Sequence, residues 1–363
     1  MWCDPQVHGN HAAREPGGAH TLIAADSGPR DDEAAGAEAA TFGRSTLHMI
    51  ENLSLIGLAL LLLFLGAEAL VRGSASLALR AGLSPLIVGL TIVAFGTSSP
   101  ELFASVKAAL AQQGDIAVGN VVGSNSFNIG VILGLAALVC PIPVHSQIIK
   151  IDAPIGFAVA LLLPFLLLNH TVGRVEGLLL AAGIVAYTSM NIVLARRQTG
   201  TGAEDSPGTS VPGVSRHLGM DIASIAVGLG LLVLGSSLLV DSSVALAKAF
   251  GVSQAVIALT IVAAGTSMPE LATSVVAAVR KQPDIAVGNV VGSNIFNILA
   301  ILGVASIVSP LRAPGVSMLD YGVMIGLTVL VIPLLYTGRL LHRLEGAALL
   351  TVYGVYMFIL WPR

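Results

Sequence analysis

The sequence predicts an all-α polytopic membrane protein with ten transmembrane helices, arranged as two inverted five-helix repeats. Three observations lead to this fold class. Hydrophobic residues make up 55% of the 363-residue chain, charged residues only 11%, and the mean hydropathy is +0.85. Long apolar runs alternate with short polar segments, and one stretch of 43 residues occurs twice. The composition is typical of a chain that lies in a bilayer, and the self-similarity indicates a duplicated architecture.

Charge and cysteine content exclude several other classes of protein. The formal net charge is −3 at pH 7, so no basic surface for nucleic acid is indicated. The two cysteines, Cys3 and Cys140, lie far apart and give neither a zinc nor a disulfide spacing. The sequence has no P-loop, so an ATP-driven pump has no support.

The first 48 residues differ in composition from the rest of the chain. They are rich in Gly, Ala, Asp, Glu, His and Arg and show no apolar period, which predicts a disordered tail. Met49 directly precedes the first hydrophobic run and is a candidate for the true start of the native protein.

Residues 49–195 form the first predicted repeat, which contains five apolar helices. The helices are expected near residues 53–80, 84–111, 115–139, 151–168 and 172–194. Residues 196–217 are polar, rich in Gly, Ser and Thr, and have no periodicity, so they are predicted to form a short cytoplasmic linker.

Residues 218–363 repeat the same order of segments. Helices are expected near residues 220–249, 253–279, 284–308, 318–336 and 341–360. Glu101 and Glu270 are 169 positions apart, and so are Gly66 and Gly235, and Pro164 and Pro333. The constant offset indicates that the duplication covers all five helices of each half.

An odd number of helices per repeat has a geometric consequence for the orientation of the two halves. Each repeat must begin on the opposite side of the membrane from the other, which predicts an inverted pair with its site near the midplane. Lys and Arg residues are more frequent in the loops that lie inside when both termini are outside, so we expect the N-out and C-out orientation in the cytoplasmic membrane.

The duplicated stretch carries polar motifs that are costly in hydrocarbon. Its copies run from Thr91 to Leu133 and from Thr260 to Leu302, and about 30 of 43 positions are identical. Each copy contains Gly-Thr-Ser-x-Pro-Glu and then Gly-Asn-Val-Val-Gly-Ser-Asn-x-Phe-Asn. A duplicated packing motif is the simpler alternative, but packing does not need an intramembrane glutamate.

A proline within each first motif predicts a break in the helix that carries it. Pro100 cannot donate to the carbonyl of Gly96 and displaces it, so the helix is expected to kink around Gly96 to Ser99. The released backbone oxygens need a partner such as a cation. Hydroxyls and one carboxylate lie beside each break, at Thr97, Ser98 and Glu101 and again at Thr266, Ser267 and Glu270.

The next helix of each repeat is expected to provide the facing wall. Asn120, Ser124 and Asn128 are spaced by four and form one polar stripe, repeated as Asn289, Ser293 and Asn297. Asn125 and Asn294 lie on another face and are expected to bond across helices. Carboxylate, hydroxyl and amide oxygens without thiol or imidazole indicate a site for a hard cation such as calcium or sodium.

These doubled motifs in an inverted ten-helix frame resemble the alpha repeats of the cation/calcium exchanger superfamily, and most closely its prokaryotic sodium/calcium exchanger family. The resemblance covers residues 50–361. It implies that the glutamates coordinate calcium and share in sodium sites, that the first and sixth helices slide as a gating unit, and that the ions bind at Ala94, Thr97, Ser98, Glu101, Ser124, Asn128, Ala263, Thr266, Ser267, Glu270, Ser293 and Asn297.

The chain differs from other branches of this superfamily. Residues 196–217 are too few for a folded calcium-sensing domain. The proton/calcium branch carries Gly-Asn where this chain carries Gly-Thr at Thr97 and Thr266.

The expected function is antiport of calcium against sodium, and the alternative is a proton/calcium antiporter or one for another divalent cation. Two buried carboxylates held close together repel each other, so an empty site could retain a proton. The added hydroxyls favour sodium. An intramembrane hydrolase is a rival of another class, but no nucleophile motif accompanies the acids. Besides the transported ions and the lipid bilayer, we expect no cofactor and no obligate protein partner.

Overall fold

The computed structural model describes residues 31–199, 217–250 and 263–360. These residues form helices connected by short loops, together with four strands of two residues each. The helices are α1 Asp31–Ala81, α2 Pro85–Thr97, α3 Ser99–Leu110, α4 Gly114–Val139, α5 Ile148–Leu166, α6 Arg174–Thr199, α7 Leu218–Ala249, α8 Ala263–Thr266, α9 Met268–Val279, α10 Pro283–Val308, α11 Met318–Tyr336 and α12 Arg343–Leu360.

The predicted all-helical membrane fold is confirmed. Within the described ranges, eight helices are long and apolar enough to cross a membrane, and a ninth span is reached if α2 and α3 form one bent span. The first part of the predicted seventh helix, residues 253–262, lies outside the described residues, so only its later part is seen, as α8 and α9.

The first helix begins earlier than the sequence indicated. It starts at Asp31, so residues 31–48 are helical where a disordered tail was predicted. Five alanines lie between residues 34 and 40, and alanine has the highest helix propensity. Local propensity therefore extends the helix beyond the apolar run that predicted it.

The predicted break near Pro100 is confirmed. Helices α2 and α3 meet at Ser98 with a bend of 45°. Ser98 has φ −82° and ψ 7°, and its counterpart Ser267, between α8 and α9, has φ −90° and ψ 10°. Both serines therefore adopt the sparsely populated bridge region, where many active-site residues lie.

Helices α4 and α10 form the centre of the fold. In each of these helices, 78% of the most apolar 18-residue segment is buried. The corresponding share is 33% in α1 and 22% in α7. A Cβ atom at Gly292 of α10 would lie only 2.7 Å from the carbonyl oxygen of Leu90 in α2. Glycine is therefore required for this close approach of the two helices.

Helices α4 and α10 also change their hydrogen-bond pattern at matching positions. A π-helical turn begins at Asn128 in α4 and at Asn297 in α10. Such turns re-aim the side chains beside them and are frequent at functional sites. Both turns begin at the last asparagine of the second motif, so the local distortion coincides with a predicted site residue.

The short strands join loops that are distant in sequence. Strand β1, Ile142–Pro143, pairs antiparallel with β4, Leu340–Leu341. Strand β2, Thr171–Val172, pairs antiparallel with β3, Leu311–Arg312. Each pair therefore links a loop of residues 49–195 to a loop of residues 218–363.

Helices α1 and α7 pack directly against each other through glycine. A Cβ at Gly66 would lie 2.9 Å from the carbonyl oxygen of Gly228, and a Cβ at Gly228 would lie 2.8 Å from the carbonyl oxygen of Gly66. Ser224 of α7 donates a 2.8 Å hydrogen bond to the carbonyl of Ala69. The backbones of these two long, partly exposed helices are therefore in contact.

Candidate cation site

Two buried glutamates lie next to the two helix breaks. Glu101 follows the break at Ser98, Glu270 follows the break at Ser267, and each glutamate is only 1% exposed. Among the described residues, the carboxylates of Glu68 and Asp221 form ion pairs with arginine, whereas neither Glu101 nor Glu270 does. The charge of Glu101 and Glu270 is therefore not balanced by a neighbouring Lys or Arg in the part of the chain that is described.

Each glutamate accepts a hydrogen bond from a serine of the opposite half. Ser98 Oγ donates to Glu270 Oε1 at 2.7 Å, and Ser267 Oγ donates to Glu101 Oε1 at 2.9 Å. The two helix breaks thus exchange donors. A site built in this way is completed only when both copies of the motif are present.

The serines of α4 and α10 extend the two serine–glutamate pairs. Ser293 Oγ lies 3.0 Å from Ser98 Oγ, and Ser124 Oγ lies 3.2 Å from Ser267 Oγ. All four hydroxyls are buried. Serines that the sequence placed on two different helices therefore form a pair of linked hydroxyls, one of which bonds to each carboxylate.

Four acceptor oxygens in this region are buried and have no hydrogen-bond partner among the described residues. They are Glu101 Oε2, Glu270 Oε2, Asn128 Oδ1 and Asn297 Oδ1. An unsatisfied buried acceptor is costly, more so when it carries charge. Carboxylate and amide oxygens are ligands for hard cations, so these atoms fit a cation as the missing partner.

The threonine of the first motif also lies at this site. Thr97 is 1% exposed, and its Oγ1 lies 3.0 Å from Asn289 Oδ1, 3.1 Å from the carbonyl oxygen of Val93 and 3.4 Å from that of Ala94. In the second copy, Ala263 and Thr266 are the first and last residues of α8, directly before the break. The alanine–threonine segments therefore occupy matching positions beside Ser98 and Ser267.

Asn120 and Asn289 each hydrogen-bond to the helix that carries a glutamate and so form what we call the two asparagine braces. Asn120 Nδ2 donates to the carbonyl of Glu101 at 3.2 Å and to Ser105 Oγ at 2.9 Å. Asn289 Nδ2 donates to the carbonyl of Glu270 at 3.3 Å and to Ser274 Oγ at 3.0 Å. The two amides therefore tie the backbone of each glutamate to the neighbouring helix.

Sequence reasoning missed the two serines in these braces. Ser105 and Ser274 are both buried, and each lies four residues after its glutamate. Residues spaced by four share one face of a helix. A serine four residues after the glutamate in both copies was the sequence signal that could have identified them.

The prediction that Asn125 and Asn294 bond across helices is confirmed. Asn297 Nδ2 donates to Asn125 Oδ1, and Asn128 Nδ2 donates to Asn294 Oδ1, both at 2.9 Å. Asn125 Nδ2 also donates to the carbonyl of Asn294 at 3.2 Å. The two asparagines therefore contact predicted site residues directly, although the sequence placed them on a different face.

The donor set matches the charge and hardness of the expected ions. The described residues contain no group of three or more His, Cys, Asp or Glu side chains placed to hold a metal ion. The site instead combines two carboxylates with neutral hydroxyl and amide oxygens. Two negative charges neutralise one divalent cation, and neutral oxygens complete its coordination.

Comparison with known proteins identifies the family that the sequence motifs resemble. The family model described as sodium/calcium exchanger protein matches residues 52–193 and again residues 220–361. The chain is 34% identical to inner membrane protein YrbG of Escherichia coli, over 86% of this chain and 96% of that protein. It is 31% identical to sodium/calcium exchanger MaX1 of Methanosarcina acetivorans, over 85% of this chain and 98% of that protein.

A solved structure has the same architecture. The sodium-calcium exchanger NCX_Mj, soaked with sodium and strontium, superposes with a TM-score of 0.73 at 28% identity, over 85% of this chain and 98% of that chain. The same family model matches each half of the sequence once, which agrees with the duplication seen within this chain. The chain is a multi-pass membrane protein and belongs to the sodium/calcium exchanger family of cation transporters.

Proposed function

We propose that this protein is a secondary active antiporter that exchanges calcium for sodium across the cytoplasmic membrane by alternating access. One observation carries the proposal. Glu101 and Glu270 meet the serines of the opposite halves, and the second oxygen of each glutamate is buried without a hydrogen-bond partner among the described residues, as are the amide oxygens of Asn128 and Asn297. This arrangement suits a cation that binds both halves at once.

The proposed ligands suit both calcium and sodium, which would compete for the same site. Calcium needs charge as well as oxygens, and the two carboxylates provide it. Sodium carries less charge, so neutral hydroxyl and carbonyl oxygens can hold it beside either glutamate. The proposed ligands are Glu101, Glu270, Thr97, Thr266, Ser98, Ser267, Ala94, Ala263, Ser124, Ser293, Asn128 and Asn297.

A proton/calcium antiporter, or one for another divalent cation, is the second candidate. Glu101 and Glu270 share one buried region and have no Lys or Arg partner in the described part of the chain. Either carboxylate could therefore take a proton in place of a metal ion. The hydroxyls of Ser98 and Ser267 favour sodium, because a proton on a carboxylate does not need additional oxygen ligands.

The proposed architecture has ten spans in two inverted repeats of five, with residues 1–48 as a tail and residues 196–217 as a cytoplasmic linker. The strand pairs support the inversion. Adding 169 to the residue numbers of β1 gives β3, and adding 169 to those of β2 gives β4. The duplication therefore exchanges the pair β1–β4 with the pair β3–β2, as expected for a two-fold axis in the membrane plane.

Alternating access requires one part of the molecule to move against another. Helices α1 and α7 are the proposed moving pair, since they touch through Gly66 and Gly228 and are only 33% and 22% buried over their most apolar segments, against 78% in α4 and α10. Small residues at such a contact allow helices to lie close and to slide. The proposed orientation places both chain termini outside. We propose neither an enzymatic reaction nor a cofactor.

Flux measurements in reconstituted vesicles test the proposal. Purified protein is incorporated into vesicles, and calcium uptake is followed under an imposed sodium gradient, an imposed proton gradient, or neither. The proposal expects uptake that depends on the sodium gradient and persists when the proton gradient is collapsed by an ionophore. Uptake driven by protons alone would favour the second candidate and overturn sodium coupling.

A further inference from the structure

We propose that Asn125 and Asn294 are positioning residues, which fix the side-chain amides of Asn297 and Asn128 so that their oxygens point to the bound cation. The inference rests on the proposed function of this site as a cation site. It assigns a role to residues that are not themselves proposed ligands.

The hydrogen bonds form a reciprocal exchange between α4 and α10. Asn297 Nδ2 donates to Asn125 Oδ1, while Asn128 Nδ2 donates to Asn294 Oδ1, each at 2.9 Å. Asn125 and Asn297 are 172 positions apart, and Asn128 and Asn294 are 166 apart, so each bond joins the two halves. Each half therefore orients the ligand of the other.

The positioning asparagines are themselves fixed by the backbone. Asn125 Nδ2 donates to the carbonyl of Asn294 at 3.2 Å, and Asn294 Nδ2 donates to the carbonyl of Asn125 at 3.5 Å. With the nitrogen of each amide committed to a carbonyl, its oxygen is left to accept from the site asparagine. The backbone thus determines which end of every amide faces which neighbour.

The orientation matters because an amide has two different ends. The oxygen can bind a cation, whereas the NH₂ group carries positive partial charge and repels it. In the structure, the nitrogens of Asn128 and Asn297 are used in the exchange, and their oxygens are buried without a hydrogen-bond partner among the described residues. A half-turn of either amide would place NH₂ where the cation is expected.

The local backbone supports the same inference. The π-helical turns begin at Asn128 and Asn297 themselves, so the distortion of α4 and α10 begins at the two oriented residues. Asn125 and Asn297 are only 2% and 1% exposed. Water therefore has little access to replace the lost acceptor if Asn125 is changed.

The first test measures cation binding by the purified full-length protein. Calcium is titrated calorimetrically into the wild type, Asn125→Leu, Asn294→Leu and the control Asn191→Leu. Asn191 is a fully buried intramembrane asparagine in α6, bonded to Gln147 and Tyr187. We expect each of the two positioning variants to weaken calcium binding by about tenfold or more, because each removes the hydrogen bond that orients a ligand amide. The control should bind calcium like the wild type. Wild-type affinity in Asn125→Leu and Asn294→Leu would overturn the proposal.

A second test separates orientation from packing. In an Asn297→Asp background both terminal atoms are oxygens, so no orientation is required. Adding Asn125→Leu to Asn297→Asp should then cost much less affinity than Asn125→Leu costs alone, a coupling that a double-mutant cycle measures. An equal loss in both backgrounds would show that Asn125 acts only by packing and would overturn the proposal.

The binding readout keeps this inference distinct from the proposed function. If the wild type binds calcium and the cycle shows coupling, the positioning role stands even if vesicles reveal no sodium-driven flux. In that case only the sodium-exchange function fails.

Discussion

Ser98 and Glu270 come from different halves of the chain, 172 positions apart, and are joined by a 2.7 Å hydrogen bond at the centre of the fold. Their counterparts Ser267 and Glu101 make the same contact at 2.9 Å. Each glutamate therefore depends on the opposite copy of the motif. This exchange explains in physical terms why the duplicated motif must be present twice.

Removing the charge of either glutamate should abolish calcium transport. Glu101→Gln and Glu270→Gln keep the size and one oxygen of the side chain, but a hard divalent cation needs negative charge as well. We expect folded, membrane-inserted protein with no calcium flux above that of empty vesicles. Near-normal flux in both variants would refute this assignment of the site, and size-exclusion chromatography of each variant controls for folding.

Removing the serine that bonds to each glutamate should have a milder effect. Ser98→Ala leaves Glu270 Oε1 without its donor and removes a neutral oxygen suited to sodium. A hydrogen bond to a charged group contributes about 1.5–3 kcal/mol, which corresponds to a roughly tenfold or larger change in the sodium concentration for half-maximal exchange. Ser267→Ala should match it in direction, since it makes the corresponding bond to Glu101.

The matched control for the serine variants is Ser99→Ala. Ser99 lies next to the break but donates to the carbonyl of Phe95 in α2, within the same half of the chain, at 3.0 Å. Its removal should leave the sodium dependence unchanged. A shift as large as that of Ser98→Ala would mean that the hydroxyls near the break act on helix geometry instead of on the ions.

Calcium transport should fall as the pH drops below neutral. Protons and calcium compete for the same oxygens of Glu101 and Glu270, and a protonated carboxyl no longer offers charge to the metal. Initial rates of sodium-driven calcium flux, measured with equal pH on both sides of the vesicle, should decline from about pH 8 to about pH 6. A flat profile over this range would argue against proton competition at the pair.

Much of the fold followed from the sequence because its strongest signals are long and repeated. The apolar runs, the constant offset between Glu101 and Glu270 and the break imposed by Pro100 are all set by local chemistry. The helical start at Asp31 was missed because the prediction was based on hydropathy, and residues 31–48 are helical through propensity instead.

The site was predictable as a set of residues but not as a set of contacts. The spacing of Ser124 and Asn128 indicated one polar stripe, yet no pattern along the chain shows that Asn125 bonds to Asn297. That contact depends on how closely α4 and α10 approach and on the π-helical turn that begins at Asn297. Such geometry is decided by tertiary packing and not by periodicity.

Transport should not require potassium. In the cation/calcium exchanger superfamily that the motifs resemble, potassium-dependent members carry an aspartate at the position of Asn297, which adds a third carboxylate. Here both copies carry an amide, so two negative charges already balance one calcium ion, and an added potassium ion would be an uncompensated charge in a buried site. Sodium-driven calcium flux should persist when choline replaces all potassium.

Replacing Asn297 by aspartate should make transport sensitive to potassium. Asn297→Asp adds the third negative charge, so potassium should stimulate flux in that variant and leave the wild type unaffected. Loss of wild-type flux in choline, restored by potassium on one side, would show that the amide at Asn297 does not determine whether transport requires potassium.

If Glu101 and Glu270 hold one calcium ion together, equilibrium binding of radioactive calcium to the purified protein will reveal a single shared site. We expect one calcium ion per chain, displaced by sodium, and no specific binding in either Glu101→Gln or Glu270→Gln. Two calcium ions per wild-type chain, or one ion retained in each single variant, would contradict a site shared between the two halves.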